Sequence, residues 1–99
     1  METLNKGTIE EIIVAVSDQL GSLTTLDAAS PHFDVYFDDD NTKVINNQVA
    51  TNSGMLGICL IDTTAMDIVP GFYNLYFKFT VNSEQVVLGP LQFAVEDIG

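Results

Sequence analysis

The sequence lacks arginine and tryptophan, and it has few basic residues of any kind. Its 99 residues carry 14 acidic side chains against three lysines, Lys6, Lys43 and Lys78, which gives a formal net charge of -11 at pH 7. Arginine supplies the bidentate contacts that read phosphate and guanine, and so acidic a chain repels polyanions. We therefore expect no binding to nucleic acid or to a membrane surface, and basic character in any charged partner.

Cysteine occurs only once, at Cys59. A single cysteine excludes an internal disulfide and provides no zinc-binding set. Because Ile58 and Leu60 flank it, we expect a small buried side chain rather than a reactive thiol.

Long apolar runs are also missing. Nowhere do about 18 consecutive apolar residues occur, the length that a membrane-spanning helix requires. Glu10 and Glu11 stand before the apolar run IIVAV where a signal peptide would carry basic residues. We expect a natural start at Met1 and synthesis in the cytoplasm.

What the sequence does have is an alternation of apolar side chains with a period of two residues. The alternation is clearest in FYNLYFKFTV, residues 72–81. This period is typical of a half-buried strand, and aromatic and β-branched residues favour the same structure. We predict a central strand whose core side chains are Tyr73, Leu75, Phe77, Phe79 and Val81.

The same pattern predicts strands over 8–16, 32–37, 43–50, 55–62 and 85–96, with a short strand or link over 22–27. The polar segment 43–50 suits a sheet edge, and Gly89-Pro90 should bulge the last strand. The predicted inward side chains are Ile12, Val14 and Val16; Phe33, Val35 and Phe37; and Leu91, Phe93 and Val95. Those predicted to face outward are His32, Asp34 and Tyr36.

About seven short strands with closely spaced turns and no helical period predict one all-β domain. An antiparallel β-sandwich spanning residues 8–97 fits this pattern, with residues 1–7 as an N-terminal arm and 98–99 as a tail. A small β-barrel is the alternative.

The segment VPGFY leads into the aromatic strand. Pro70-Gly71 suits a sharp turn, and a Tyr just after it can turn its hydroxyl back onto the preceding backbone, as in a tyrosine corner. Tyr73 is the residue in question. The alternative is an ordinary buried tyrosine with some other partner.

No catalytic, cofactor or metal site is expected. Ser30, His32 and Asp34 are of the types found in hydrolytic triads, but alternate residues of a strand lie about 6.5–7 Å apart, beyond hydrogen-bond reach. Residues 38–41 are rich in carboxylates but lack the glycine and distant glutamate of a calcium loop. Glu10 and Glu11 fall on opposite faces of their strand, so they do not form an acid/base pair.

The chain has more apolar surface than two sheets can bury. MLGICLI is apolar on both faces, and a sheet in a sandwich buries only one of its two faces. Exposed apolar and aromatic patches mark interaction surfaces. The candidate contact residues are Ile13, Tyr36, Leu56, Ile58, Leu60, Phe72 and Tyr76.

The order of turns and strands carries a further signal. Its elements are the D-x-x-G turn at 18–21, Leu23 and Leu26, the strand and Asp-rich hairpin over 33–40, the corner at Pro70, Gly71 and Tyr73, and a final strand led by Pro90. This order resembles small immunoglobulin-like domains of tailed bacteriophages, including the N-terminal domain of phage baseplate upper proteins. The resemblance covers residues 8–97, although the link reads TTLDAAS where the family has a DLTG form.

The resemblance implies a single antiparallel Ig-like β-sandwich and a non-enzymatic component of the virion. We expect such a module to decorate the capsid or to join tail or baseplate components, in several copies, through contacts with other virion proteins. No small-molecule substrate is expected. The alternative is an adhesion or carbohydrate-binding module that uses Tyr36, Phe72 and Tyr76.

Overall fold

The computed structural model describes residues 1–15, 31–53, 56–81 and 84–97, which contain eight strands and no helix. The strands are β1 (Glu2–Asn5), β2 (Ile9–Ala15), β3 (His32–Phe37), β4 (Lys43–Val49), β5 (Thr51–Ser53), β6 (Leu56–Asp62), β7 (Gly71–Val81) and β8 (Glu84–Glu96). The predicted all-β class is confirmed.

The strands form two sheets. One has five strands in the order β1-β8-β7-β3-β4, and the other has three in the order β2-β6-β5. Buried side chains from both sheets form one hydrophobic cluster. The described strands therefore make a two-layer, sandwich-like arrangement, and their sheets do not close into a barrel.

Strand β7 lies in the middle of the five-stranded sheet, between β8 and β3. Tyr73, Leu75, Phe77 and Phe79 are all at most 5% exposed. The prediction of a central strand with these core residues is confirmed. The side chain of Val81 lies outside the described part of the chain.

Gly57 of β6 lies against the ring of Phe77 of β7, in the opposite sheet. A Cβ atom placed on Gly57 would lie 2.3 Å from Cζ of Phe77 and within 2.8 Å of two further ring atoms. Residue 57 therefore has room for hydrogen only, and the absence of a side chain there lets the ring lie against the backbone of the opposite sheet.

Strand β1 lies within the segment that the sequence pattern assigned to an N-terminal arm, residues 1–7. It pairs in parallel with β8, from Glu2 opposite Phe93 to Asn5 opposite Glu96. The prediction of a purely antiparallel sandwich is wrong at this strand. Leu4 is only 2% exposed, and burial of this one side chain anchors the strand.

Strand β8 departs from the predicted pattern at Leu91. Phe93 and Val95 are buried as expected, but Leu91 is 38% exposed. The predicted irregularity at Gly89-Pro90 is present as a register shift against β7. Leu91 lies before Phe93, where the pairing with β1 begins, so no described strand flanks it on that side.

Several predictions fall outside the described residues. These are the turn at 18–21, the link with Leu23 and Leu26, and the residues Val16, Ser30 and Met55.

Tyr73 lies at the start of β7, and its hydroxyl donates a hydrogen bond of 2.5 Å to the carbonyl oxygen of Val69. The bond runs back to the connection that precedes the strand, as predicted for a tyrosine corner. The phenol ring is fully buried and stacks on Phe93, with ring centroids 5.4 Å apart. Tyr73 thus ties the β6–β7 connection to the core.

Tyr73→Phe should lower the free energy of unfolding by about 0.5–1.5 kcal/mol, because it removes one hydrogen bond and keeps the ring. Urea denaturation of the purified variant measures this difference. Tyr36→Phe is the matched control on neighbouring β3 and should change stability by less than about 0.5 kcal/mol. Equal stabilities for Tyr73→Phe and the wild type would rule out a structural role for the corner bond.

Candidate functional site

The candidate contact residues separate onto two opposite surfaces of the molecule. Ile13, Ile58 and Leu60 lie on the outer face of the three-stranded sheet, which we call the three-stranded face. Tyr36, Phe72 and Tyr76 lie on the outer face of the five-stranded sheet. Leu56 begins β6, but its side chain is outside the described part of the structure.

The three-stranded face is built by cross-strand pairs of β2 and β6. Ile13 lies opposite Ile58 and Glu11 opposite Leu60, whereas the alternate residues Ile12 and Cys59 turn into the core. The alternation that buries one face of each strand therefore places apolar side chains on the other.

The apolar side chains of this face are largely exposed. Ile9 is 64% exposed, Ile13 56% and Leu60 50%, and Ile58 is partly buried. Ile9 was not among the predicted contact residues, although its position four residues before Ile13 places it on the same strand face. Glu11 and Asp62 are exposed on the same face, so the apolar side chains are interspersed with negative charge.

On the outer face of the five-stranded sheet, the three predicted aromatic residues do not all lie together. Tyr36 and Tyr76 form an edge-to-face pair with ring centroids 5.6 Å apart. Phe72 is 50% exposed, but it lies four positions from Tyr76 along β7, a separation of about 13 Å. Phe72 therefore shares the outward face of the sheet with the two tyrosines but does not contact their pair.

Asp34 lies beside the tyrosine pair and is only 7% exposed, although it is on the outward side of β3. Nζ of Lys78 lies 2.9 Å from Oδ2, and Nζ of Lys43 lies 3.9 Å from Oδ1. The backbone amide of Asn47 donates to Oδ1 at 2.6 Å. The ammonium groups of two of the three lysines of the chain therefore lie within 4 Å of the Asp34 carboxylate.

Asn47 belongs to an irregular part of β4, with a positive φ of 50° and a register shift against β3. Its side-chain oxygen accepts a hydrogen bond of 2.9 Å from Lys78. Residue 47 therefore contacts both members of the ion pair, which holds the bulged edge of the sheet in one geometry.

Burial would raise the pKa of Asp34, but the hydrogen bonds from Asn47 and Lys78 and the charges of both lysines outweigh it and lower the pKa below the ordinary value of 3.8. A lowered folded-state pKa means that the ionised carboxylate stabilises the fold above about pH 4. This stabilisation is lost as the pH falls further, through the folded-state pKa.

Asp34→Asn should lower the free energy of unfolding at pH 7 by about 1–3 kcal/mol, because Lys78 loses a charged partner. The difference from the wild type should shrink as the pH falls below about 4, where Asp34 itself becomes protonated. Chemical denaturation at pH 7, 5, 4 and 3 measures it. Asp39→Asn, on an exposed turn, is the control and should show no comparable effect; a pH-independent difference for Asp34→Asn would contradict the ion-pair account.

An open groove of about 380 Å³ lies next to this cluster. Its lining includes Asp34, Tyr36, Asn41, Tyr76 and Lys78. Lys43 places its ammonium 5.4 Å from the centre of the Tyr36 ring. The groove thus combines two aromatic rings with amide, carboxylate and ammonium groups, a composition suited to a ligand with hydroxyl groups and an apolar face.

Three of the carboxylates considered above as catalytic or metal-binding candidates, Asp34, Asp38 and Asp40, have structural contacts instead. Asp34 pairs with lysines, as described above, and Ser30 lies outside the described residues. Asp38 accepts a hydrogen bond of 2.8 Å from the side chain of Asn74, and Asp40 accepts one of 3.0 Å from the amide of Thr42. Among the described residues, no group of three or more His, Cys, Asp or Glu side chains is placed to hold a metal ion.

Cys59 is fully buried, as predicted. Burial raises the pKa of its thiol to about 12, so the thiolate that would react as a nucleophile is essentially unpopulated at neutral pH.

Comparisons with protein-family models, with curated proteins and with solved structures found no match to this chain. Within the described ranges, no helix is long and apolar enough to cross a membrane.

Proposed function

We propose that the chain is a non-enzymatic structural protein of a tailed bacteriophage. In this proposal it is an Ig-like module, present in several copies, that decorates the capsid or joins tail or baseplate components through contacts with other virion proteins. It is made in the host cytoplasm and functions in the virion.

The strand order supports the Ig-like part of the proposal. With β2, β5 and β6 taken as strands B, D and E, the three-stranded sheet reads B-E-D. With β3, β4, β7 and β8 taken as C, C′, F and G, four strands of the other sheet read G-F-C-C′. Immunoglobulin-type sandwiches have these neighbours, and their tyrosine corner lies between strands E and F, where Tyr73 bonds Val69.

The observation that carries the functional proposal is the exposed three-stranded face. Three aliphatic side chains at least half exposed, Ile9, Ile13 and Leu60, lie on the two neighbouring strands β2 and β6. Such a patch is costly in water and is typical of protein contact surfaces. A structural module needs a surface of this kind.

Mass spectrometry of purified virions of the encoding phage tests the proposal. We expect the chain in virions after density-gradient purification, at a constant ratio to the major capsid protein. Its absence from such virions, while it is present in infected-cell lysate, would overturn the proposal.

The groove beside Tyr36 and Tyr76 favours a second candidate function, an adhesion or carbohydrate-binding module. Sugar rings stack on aromatic side chains, and their hydroxyl groups bond to carboxylate and amide groups such as those of Asp34 and Asn41. Phe72 is not part of this site, because about 13 Å of strand separates it from Tyr76.

A glycan array distinguishes the two functions. The carbohydrate-binding candidate predicts a bound glycan class whose signal falls at least about fivefold in Tyr76→Ala, because stacking on a ring contributes about 1 kcal/mol or more. Phe72→Ala is the matched control on the same face and should leave binding unchanged. An array without binding, or binding unaffected by Tyr76→Ala, would eliminate this candidate.

A further inference from the structure

Among the described strands, four lie at sheet edges, and three of these are poor sites for another chain. Strand β1 has four residues and β5 has three. Strand β4 is irregular, with register shifts against β3 and a positive φ at Asn47, and it carries Lys43. Short length, bulges and lysine are the devices by which proteins block pairing at sheet edges.

Strand β2 lacks all of these devices. It has seven residues, contains neither Lys nor Pro, and pairs with β6 at every position from Ile9 to Ala15 without a register shift. In the part of the chain that the structure describes, no strand pairs with its other edge. An open, regular edge of this length is a template for an added strand.

The register shows which backbone groups face the open edge. The amide of Thr63 donates a hydrogen bond of 2.9 Å to the carbonyl of Thr8, so residue 8 and every second residue after it point their backbone groups toward β6. The amides and carbonyls of Ile9, Glu11 and Ile13 therefore point away from β6, in the plane of the sheet and toward its open edge. Their side chains are the ones on the three-stranded face.

A groove of about 630 Å³ lies beside this edge. It is lined by Ile12 and Ile13 of β2, by Met1 and Glu2 of β1 and by Leu91 of β8. Met1, Ile13 and Leu91 are 74%, 56% and 38% exposed. The open edge therefore borders a groove that mixes apolar and polar residues, and an added strand can pack an inward apolar side chain against Met1 or Leu91.

We propose that the open edge of β2 binds an extended segment of another protein by β-strand addition. The segment carries apolar residues opposite Ile9 and Ile13 and a lysine or arginine opposite Glu11. The inference rests on the proposed function, since in the virion a neighbouring structural protein supplies the segment.

Charge favours such a partner over a second copy of this chain. Each copy has a net charge of -11, and pairing two β2 strands would bring Glu10 and Glu11 of both copies together at one edge. Cross-strand charge pairs stabilise a sheet when opposite and destabilise it when alike. A basic residue in the added strand can form an ion pair with Glu11, whereas a second β2 strand contains no basic residue.

Two blocked heptapeptides serve as probes, each with Thr at odd positions and Val at the second and sixth. One has Lys and the other Glu at the fourth position. Two-dimensional amide NMR at low salt records chemical-shift changes and hydrogen exchange in the intact chain. The Lys peptide should shift the amides of Ile9, Glu11 and Ile13 and slow their exchange, and it should bind roughly three- to tenfold more tightly than the Glu peptide.

The variant Glu11→Lys should fold normally, because Glu11 is exposed, and it should reverse the preference between the two peptides. Unchanged β2 amides at millimolar Lys peptide would overturn the proposal, as would shifts on β4 instead, or a preference that Glu11→Lys leaves unaltered. The proposal would also be overturned if sedimentation showed a dimer whose β2 amides are protected from exchange, because the open edge of β2 would then bind a second copy of the chain. The presence of the chain in virions is measured separately, so failure of the edge proposal does not depend on failure of the structural role.

Discussion

Phe77→Ala is expected to lower the free energy of unfolding by about 3–5 kcal/mol, a large part of the roughly 5–15 kcal/mol typical of a whole domain. Phe77 is 1% exposed on the central strand of the five-stranded sheet. Its ring packs against Phe79, with centroids 5.9 Å apart, and against the backbone of Gly57 in the opposite sheet. Truncation would open a cavity where the two layers meet.

Thermal and urea denaturation measure this loss. Phe72→Ala is the matched control, because Phe72 lies on the same strand but is 50% exposed, and it should cost less than about 1 kcal/mol. If Phe77→Ala unfolded within a few degrees of the wild type, Phe77 would not be at the centre of the core.

Gly57→Ala is expected to destabilise the fold by about 1–3 kcal/mol, although alanine is the smallest possible addition. The new Cβ would lie 2.3 Å from Cζ of Phe77, so the ring or one sheet must move. The physical cause is overpacking between the layers, since residue 57 has no positive φ that would require glycine for conformational reasons.

Combining Gly57→Ala with Phe77→Leu tests that cause. Phe77→Leu removes the ring edge that the new methyl group would strike, so the double variant should lose at least about 0.5 kcal/mol less than the sum of the two single variants. Strictly additive losses in chemical denaturation would mean that the two positions do not touch.

Much of the core was predictable because local alternation determines it. In a strand with one face in the core, every second side chain is apolar, so the alternation over residues 73–79 indicates which of these side chains are buried. Ile13, Ile58 and Leu60 were found by the same logic, as apolar residues left over on the outward face. The bulge at Gly89-Pro90 was predictable because Gly and Pro interrupt a regular ladder.

Other features depend on which strands meet, and no local pattern carries that information. Gly57 faces Phe77 only because the two sheets stack in one particular alignment. Asp34 has an outward position on its strand, yet it is buried because Lys78 and a bulge in β4 come together over it. Strand β1 has a single buried apolar side chain, Leu4, and one residue cannot show an alternation of apolar and polar positions.

The separation of the aromatic residues is another consequence of geometry. Tyr36 and Tyr76 meet because Asp34 lies opposite Tyr76 and Tyr36 is two positions further along β3. Phe72 shares their face of the sheet but not their location. The sequence indicates the face of a strand, whereas the neighbours on that face follow from the register between strands.

We propose that the three-stranded face binds other proteins of the virion. The most direct measurement is the amount of a variant chain in purified virions when Ile13→Ser and Leu60→Ser are combined. The control combines Val49→Ser and Val87→Ser, at side chains 66% and 54% exposed on strands of the other sheet. We predict that the control is incorporated at the wild-type level and that the Ile13/Leu60 variant, folded by its amide NMR spectrum, is reduced at least about tenfold. Equal incorporation of both variants would contradict the claim.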